Sequence, residues 1–383
     1  MTMPMEGRIR AAFAAEQGAG ARLAIDANDI PQSFEAITAQ WLEAHLCKDV
    51  SGAQVIGHEL GPPDEGTNNR RRIMVRYNAA GEAAGLPTSI FAKATHGLRN
   101  RLMLGHSGAI ACEVTFFREV RPVIGIETTR VFHAAYDPQG FNSIILLEDL
   151  GPDAFLDYGS AGSPALMARQ LSLLAQLHAS GFSDPAVRAR LANLPDWKSR
   201  FTGLMQVDLE TACTNGLAVC RDTIPADLWD RRDAIWPLTV ASLDYQPAGG
   251  PTLCHGDVHL HNWYLRPSGV LGLSDWGVAH VGPWGRDLAY CLSTGLTVPE
   301  RRSHETALIA HYLAELRAHG GPAISGHEAR EACRSGIMTA LAFWTMTAAP
   351  VAAMPDMQAA STARTFVGRL AAAVSDWGAL DAV

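Results

Sequence analysis

The spacing of apolar residues along this chain changes near residue 150. Before that point it is mostly strand-like. Arg72-Ile73-Met74-Val75-Arg76-Tyr77 alternates as a half-buried strand does, and Val55 to Leu60, Ser89 to Ala94, Thr129 to Ala135 and Ser143 to Leu147 read as further strands. Turn-forming residues fill Gly61 to Asn69, and a loop spans Asn78 to Pro87. Two helices interrupt the strands. One follows Pro31, with Ser33 as N-cap and Phe34, Ile37, Trp41 and Leu42 on one face; the other spans Ala109 to Val120. Residues 1–30, rich in Ala, Gly and charge, are expected to form a loosely held arm. Beyond Gly151-Pro152 the pattern becomes helical, over Ala165 to Ser180, Trp229 to Leu243 and Glu305 to His319, with a short block dense in His, Asp, Asn and Gly at Thr252 to Ala279. The expected architecture is α+β in two lobes: a strand-rich lobe at 31–150, a hinge near 147–151 and a helical lobe at 151–383.

Composition narrows the function classes. A chain of 383 residues with 48% apolar and 18% charged side chains has room for two packed units and is not a disordered chain. A net charge of -8 offers no basic footprint for nucleic acid or an anionic membrane. Seven dispersed cysteines without a CxxC pair fit a reducing cytoplasm. The first residues lack an apolar stretch of signal-peptide length. The run Ile337 to Met354 is broken by Thr339, Thr345, Thr347 and Pro350, which suits a buried helix better than a membrane span. A soluble, cytoplasmic protein is expected, with no nucleic-acid or membrane partner.

The chemistry concentrates in Leu253-Cys254-His255-Gly256-Asp257-Val258-His259-Leu260-His261-Asn262, followed by Leu273-Ser274-Asp275-Trp276-Gly277. Phosphoryl transfer asks a protein for a carboxylate that orients and deprotonates the attacking hydroxyl, and for carboxylate and amide oxygens that hold magnesium on the phosphates. Asp257, Asn262 and Asp275 supply those groups. Their spacing, Asp-x-x-x-x-Asn and then Asp-Trp-Gly, mirrors the catalytic loop and Asp-Phe-Gly of protein kinases.

These residues, together with Gly285-Arg286-Asp287-Leu288-Ala289-Tyr290, resemble the aminoglycoside phosphotransferase and choline kinase group of small-molecule kinases, and more closely its ecdysteroid-kinase-like branch. Other pieces follow in order: Gly66-Thr67-Asn68, Phe91-Ala92-Lys93, Glu113 to Glu119, Leu146 to Leu150 and Leu174 to His178. The resemblance implies a two-lobed protein-kinase-like fold, ATP and Mg2+ as cofactors, and a small-molecule hydroxyl as acceptor. It makes Asp257 the catalytic base and Asn262 and Asp275 the metal ligands. Lys93 would contact the phosphates, steered by an ion pair with Glu113, although Glu119 lies on the same helix. Gly66, Thr67 and Asn68 form the phosphate loop, where Asp64 and Glu65 would repel phosphate if turned inward. The backbone at Glu148, Asp149 and Leu150 would receive the adenine. His255, His259 and Asp287 would brace the loop.

Two other readings use the same residues. If the block were a strand, His255, Asp257, His259 and His261 would share one face and could hold zinc or iron in a hydrolase or oxygenase. A catalytically weak kinase-fold binding protein is the second. The acids between Glu300 and Ala360 are nearly balanced by arginines, and Ile337 to Met346 is apolar, so the acceptor is expected to be neutral or weakly charged and partly hydrophobic rather than an aminoglycoside.

Overall fold

The computed structural model describes residues 4–20, 22–157, 163–352, 354 and 356–381. Two compact units emerge: Met1–Arg118 with Thr129–Leu150, and Glu119–Thr128 with Gly151–Val383.

The first unit contains α1 (Met5–Ala19), α2 (Ala39–Leu46), β1 (Val55–Leu60), β2 (Asp64–Glu65), β3 (Asn69–Tyr77), α3 (Ala79–Ala83), β4 (Ser89–Ala94), α4 (Leu98–His106), α5 (Ala109–Thr115), β5 (Val131–Tyr136) and β6 (Ser143–Glu148). The strands form one antiparallel sheet in the order β1-β3-β4-β6-β5, with β2 paired to β3. Strand alternation explains its core. Ile73, Val75, Ile90, Ala92, Ile144 and Leu146 turn to one face and pack with Trp41 and Leu42 of α2. The intervening Lys93 consequently points to the other face of β4.

Three sequence expectations shift here. The helix expected after Pro31 begins later. Phe34–Ala36 is a 3-10 turn, and the Thr38 side chain, not Ser33, caps α2 by accepting from Trp41 N. The four apolar residues expected on one face are all buried even so. The Ala109 to Val120 helix changes character at Phe116–Val120, which is a π-helical turn. In place of a loose arm stands α1; residues 1–3 and 21 of that arm lie outside the described residues. Its alanines favour helix, Ile9 is fully buried beside Leu104, Ile110 and Phe141, and Glu16 pairs with buried Arg101.

The second unit contains α6 (Pro164–Ser183), α7 (Pro185–Leu191), α8 (Trp197–Met205), α9 (Leu209–Val219), α10 (Ala226–Asp230), α11 (Ile235–Ala241), β7 (Thr252–Cys254), β8 (Trp263–Leu265), β9 (Leu271–Leu273), β10 (His280–Gly282), α12 (Gly285–Gly295), α13 (Val298–Ala318), α14 (Gly326–Ala348) and α15 (Ala360–Asp376). Helix α12 is buried along its whole length. The single helix expected over Trp229 to Leu243 is broken into α10, a 3-10 turn and α11, consistent with Pro237, whose ring cannot sit deep inside a helix. Among the described residues, no helix is long and apolar enough to cross a membrane. All seven cysteines are buried, and none forms a disulfide.

Candidate active site

In the second unit, β7 delivers the chain into the loop His255 to His259, which a 3-10 turn at Leu260–Asn262 carries into the β8–β9 hairpin. Two features fix the loop. Gly256 has φ +84°, and a Cβ there would lie 2.5 Å from Val278 O, so only glycine fits. Asp287, fully buried at the start of α12, accepts from His255 N at 2.7 Å and from Gly256 N at 3.0 Å. Burial works against that charge. His178, His280 and Arg286 outweigh it and hold the Asp287 carboxyl well below the usual carboxylate range.

The His255 ring spans the loop. Its Nδ1 accepts from Asp257 N at 3.1 Å, and its Nε2 donates to Ser274 O at 2.8 Å. This is the neutral Nε2–H tautomer, consistent with the downward push of burial on its pKa. The metal-site reading needed a strand to line up His255, Asp257, His259 and His261. That strand is absent, and both His255 nitrogens are engaged. Among the described residues, the one trio of His, Cys, Asp or Glu side chains gathered closely enough to chelate is His178, Cys254 and Asp287, fully buried and outside that set.

Asp257 is the focus of the site. Its side chain keeps 26% of its surface accessible. Oδ1 accepts from Tyr290 Oη at 2.9 Å, Oδ2 from Asn262 Nδ2 at 3.3 Å, and His259 Nε2 stands 3.6 Å from Oδ2, beyond hydrogen-bond reach. Burial tends to raise this carboxyl, but His259, His255 and the Tyr290 hydroxyl together bring its pKa down to about 2. It is therefore ionised at neutral pH. Tyr290 in turn accepts from Trp344 Nε1 of α14. Burial and the Asp257 charge push the phenol well above its ordinary pKa, so it remains a donor.

The β8–β9 register pairs Trp263 with Leu273 and thereby sets Asn262 opposite Ser274, next to Asp275. Ser274 N donates to Asn262 O at 2.8 Å. The Asn262 amide nitrogen donates to Asp257 O at 2.6 Å, which leaves its Oδ1 on the other branch of the amide. Asp275 has φ +63°, a left-handed conformation costing a non-glycine residue about 1–3 kcal/mol. Beneath the hairpin, Trp276 Nε1 donates to Thr128 Oγ1 at 2.7 Å and Trp263 Nε1 to Val258 O at 3.0 Å. A hard cation that prefers oxygen ligands fits Asn262 Oδ1 and the Asp275 carboxylate; the histidines of the loop are not needed for it.

In the first unit, Lys93 Nζ lies 2.6 Å from Glu113 Oε1, both side chains being almost fully buried. Glu119 instead belongs to the second unit and accepts from Asn193 Nδ2 at 2.5 Å. In the turn before β3, Asp64 pairs with Arg70 and Glu65 accepts from Asn69, so both acids are engaged within the turn. Asn100 Nδ2 donates to Gly66 O and Thr67 O, both at 2.8 Å, and ties down the loop through Asn68. Asp149 Oδ2 accepts from Arg72 and Ser89, and Glu148 Oε1 from Arg130 N, so these side chains make hydrogen bonds within their own unit.

Sequence reasoning assigned no role to Tyr290 or Trp344. The signal for Tyr290 was present: it follows Asp287 by three residues and so shares its helical face. Trp344 reaches the site only through the packing of α14 on α12. His259 supports the loop differently from expectation. Its Nδ1 has no partner, and the ring packs edge-on to Trp344 and against Phe366.

Residues 126–327, just over half the chain, match the model of the phosphotransferase enzyme family. Similar solved structures include the GDP complex of an aminoglycoside 2'-phosphotransferase variant (12% identity over 81% of this chain and 90% of that one, TM-score 0.48). Spectinomycin phosphotransferase with ADP and spectinomycin (14%, 90% and 98%, 0.47) and choline kinase from Streptococcus pneumoniae (12%, 88% and 98%, 0.48) are comparable. None of these likenesses distinguishes the ecdysteroid-kinase-like branch from its neighbours. No curated protein matches the chain.

Proposed function

The chain belongs to the phosphotransferase enzyme family and is a small-molecule kinase, and from that premise we propose that it transfers the γ-phosphate of ATP to the hydroxyl of a neutral, partly apolar small molecule. The observation that carries the reading is Asp257. It is ionised, fixed at one oxygen by Tyr290, and flanked by an asparagine and a second aspartate with oxygens suited to Mg2+. In this reading Asp257 orients the acceptor hydroxyl and takes its proton as the oxygen attacks the γ-phosphorus and ADP departs. Asn262 and Asp275 hold Mg2+, which neutralises charge on the phosphates when bound. Lys93, held by Glu113, contacts the α- and β-phosphates; Gly66, Thr67 and Asn68 cover them; the backbone from Glu148 to Leu150 binds the base. His255 and Asp287 keep the loop in register.

The acceptor class draws support from the aromatic side chains gathered around Asp257: Tyr290, Trp344, Phe366 and His259. Four of the acids between Glu300 and Ala360 are engaged within the fold. Glu300 and Glu328 close capping boxes, while Glu305 and Glu331 pair with Arg301 and Arg334. The test is phosphate transfer from Mg-ATP to a panel of apolar alcohols, choline, sugars and kanamycin-type aminoglycosides. Asp257→Asn should lower turnover by roughly two to four orders of magnitude with ATP binding little changed. Near-normal turnover of that variant removes the assignment of the base. Turnover of aminoglycosides alone removes the substrate class.

A further inference from the structure

Away from the residues assigned above, the first unit carries a groove of about 480 Å3 along the edge strand β5. All six residues of β5 line it. As the outermost strand, β5 turns the N–H and C=O of alternate residues outward with no neighbouring strand to receive them. The side chains around the groove share one sign. Lys48, just beyond α2, and Arg118, in the π-helical turn after α5, both line it, and neither has a carboxylate partner among the described residues. Arg130 stacks its guanidinium over Phe132 of the lining at 4.9 Å. The lining contains no Asp or Glu. Asp29 accepts from Ile25 N and Asp26 N, and Glu43 from Val55 N.

Two imidazoles complete the arrangement. His133 of β5 lines the groove and stacks on His45 of α2, with ring centroids 3.7 Å apart and an interplanar angle of 27°. Trp41 meets both rings edge-on. The Nε2 atoms of His45 and His133 are buried and without a hydrogen-bond partner. Burial, followed by the neighbouring cations, pushes His133 down to about 3 and His45 to about 4, so both rings are neutral acceptors or donors in waiting. Lys48 and Arg118 are exposed, and in a chain of net charge -8 they make a local positive patch beside two neutral imidazoles, a setting that attracts an anion.

We propose that this groove is a second ligand site, which takes a small organic or inorganic polyanion bearing phosphate or carboxylate groups. Lys48 and Arg118 supply the charge, and the outward N–H groups of β5 supply directional donors. The volume suits an anion between pyrophosphate and a nucleotide in size. An acidic peptide added as a further strand would use the same edge, but Lys48 and Arg118 come from the end of α2 and the π-helical turn rather than from the strand's own register, which favours the compact ligand.

The test is calorimetric titration of the full-length protein with inorganic pyrophosphate and, separately, citrate, in metal-free buffer. Wild type, Lys93→Met and Asp275→Ala should each bind, because the last two alter only the proposed nucleotide contacts. The double variant Lys48→Gln/Arg118→Gln should lose at least about tenfold in affinity, the effect of removing two charge-assisted hydrogen bonds. The single variant Lys48→Glu, at an exposed position, repeats the test without touching the sheet. Binding that survives in both charge variants overturns the proposal, as does binding lost in Lys93→Met. So does a wild type that binds neither anion, or one that binds hexaglutamate but neither small anion. Preference for pyrophosphate over citrate identifies the ligand as a phosphate compound, and the reverse preference as a carboxylate; either outcome supports the site.

Discussion

Tyr290 is the residue that would steer the proposed base, Asp257. A carboxylate has two equivalent oxygens, and a hydroxyl acceptor meets a defined one only if the other is taken. The Tyr290 hydroxyl takes Oδ1 at 2.9 Å, and Trp344 Nε1 orients that hydroxyl from behind. Tyr290→Phe keeps the ring and removes the bond. A hydrogen bond to a charged group is worth about 1.5–3 kcal/mol, so turnover should fall by roughly one to two orders of magnitude. KM for ATP should hold steady, because no contact proposed for the nucleotide is touched. A purely structural role for the phenol predicts lowered stability with an unchanged kcat, and steady-state kinetics beside a thermal melt separates the two. Asp257 itself was legible from the spacing of the block. Tyr290 ends the motif Gly285 to Tyr290, but only the packing of its helix shows which way the phenol points.

At the scale of elements, the site depends on how closely two helices approach. Helix α12 carries both Asp287 and Tyr290, and α14 crosses it on glycines. A Cβ on Gly336 would lie 2.4 Å from Arg286 Cα and 2.6 Å from Arg286 N; one on Gly285 would lie 2.5 Å from Ala332 C. Two effects compete in Gly336→Ala. Helix propensity favours alanine by about 1 kcal/mol. Backbone contact that short cannot be relieved by rotating a side chain, and forced separation of packed elements costs about 1–3 kcal/mol or more. The second effect should win, lowering the melting temperature and, by moving α12, the turnover as well. A higher melting temperature for Gly336→Ala would show that the helices separate freely. The same scale shows why the sequence was readable in places. Strand β3 and helix α6 could be read because their apolar periods match burial on one face, and β6 because its apolar run is buried on both. The break between α10 and α11, the late start of α2 and the docking of α1 could not. Each is decided by a local competitor to periodicity: Pro237, the Thr38 cap and the single side chain of Ile9.

Across the whole molecule, acid stability is set by histidines before it is set by carboxylates. His45, His96 and His133 in the first unit have pKa values lowered to about 4, 4 and 3, and His280 in the second unit to about 3, in every case first by burial. An unfolded histidine titrates near 6.5. Between that pH and the folded value the unfolded chain binds a proton that the folded chain refuses, so acidification favours unfolding. Each such group removes up to about 1.4 kcal/mol per pH unit over that interval. Asp257 and Asp287 have the opposite history. Their folded pKa values lie below the unfolded value of about 3.9, so the stability they contribute is complete above it and is lost only in stronger acid. Stability should therefore decline from about pH 6.5 toward 4.5, while Asp257 and Asp287 are still ionised. Three of these four histidines belong to the first unit, so that unit should open first. Hydrogen exchange followed by mass spectrometry at pH 7.5, 6.0 and 5.0, corrected for intrinsic rates, can assign the order. Protection in β3, β4 and β6 should fall before protection in α12. Protection that is flat down to pH 5.0, or lost first from α12, would mean that the buried imidazoles do not govern unfolding.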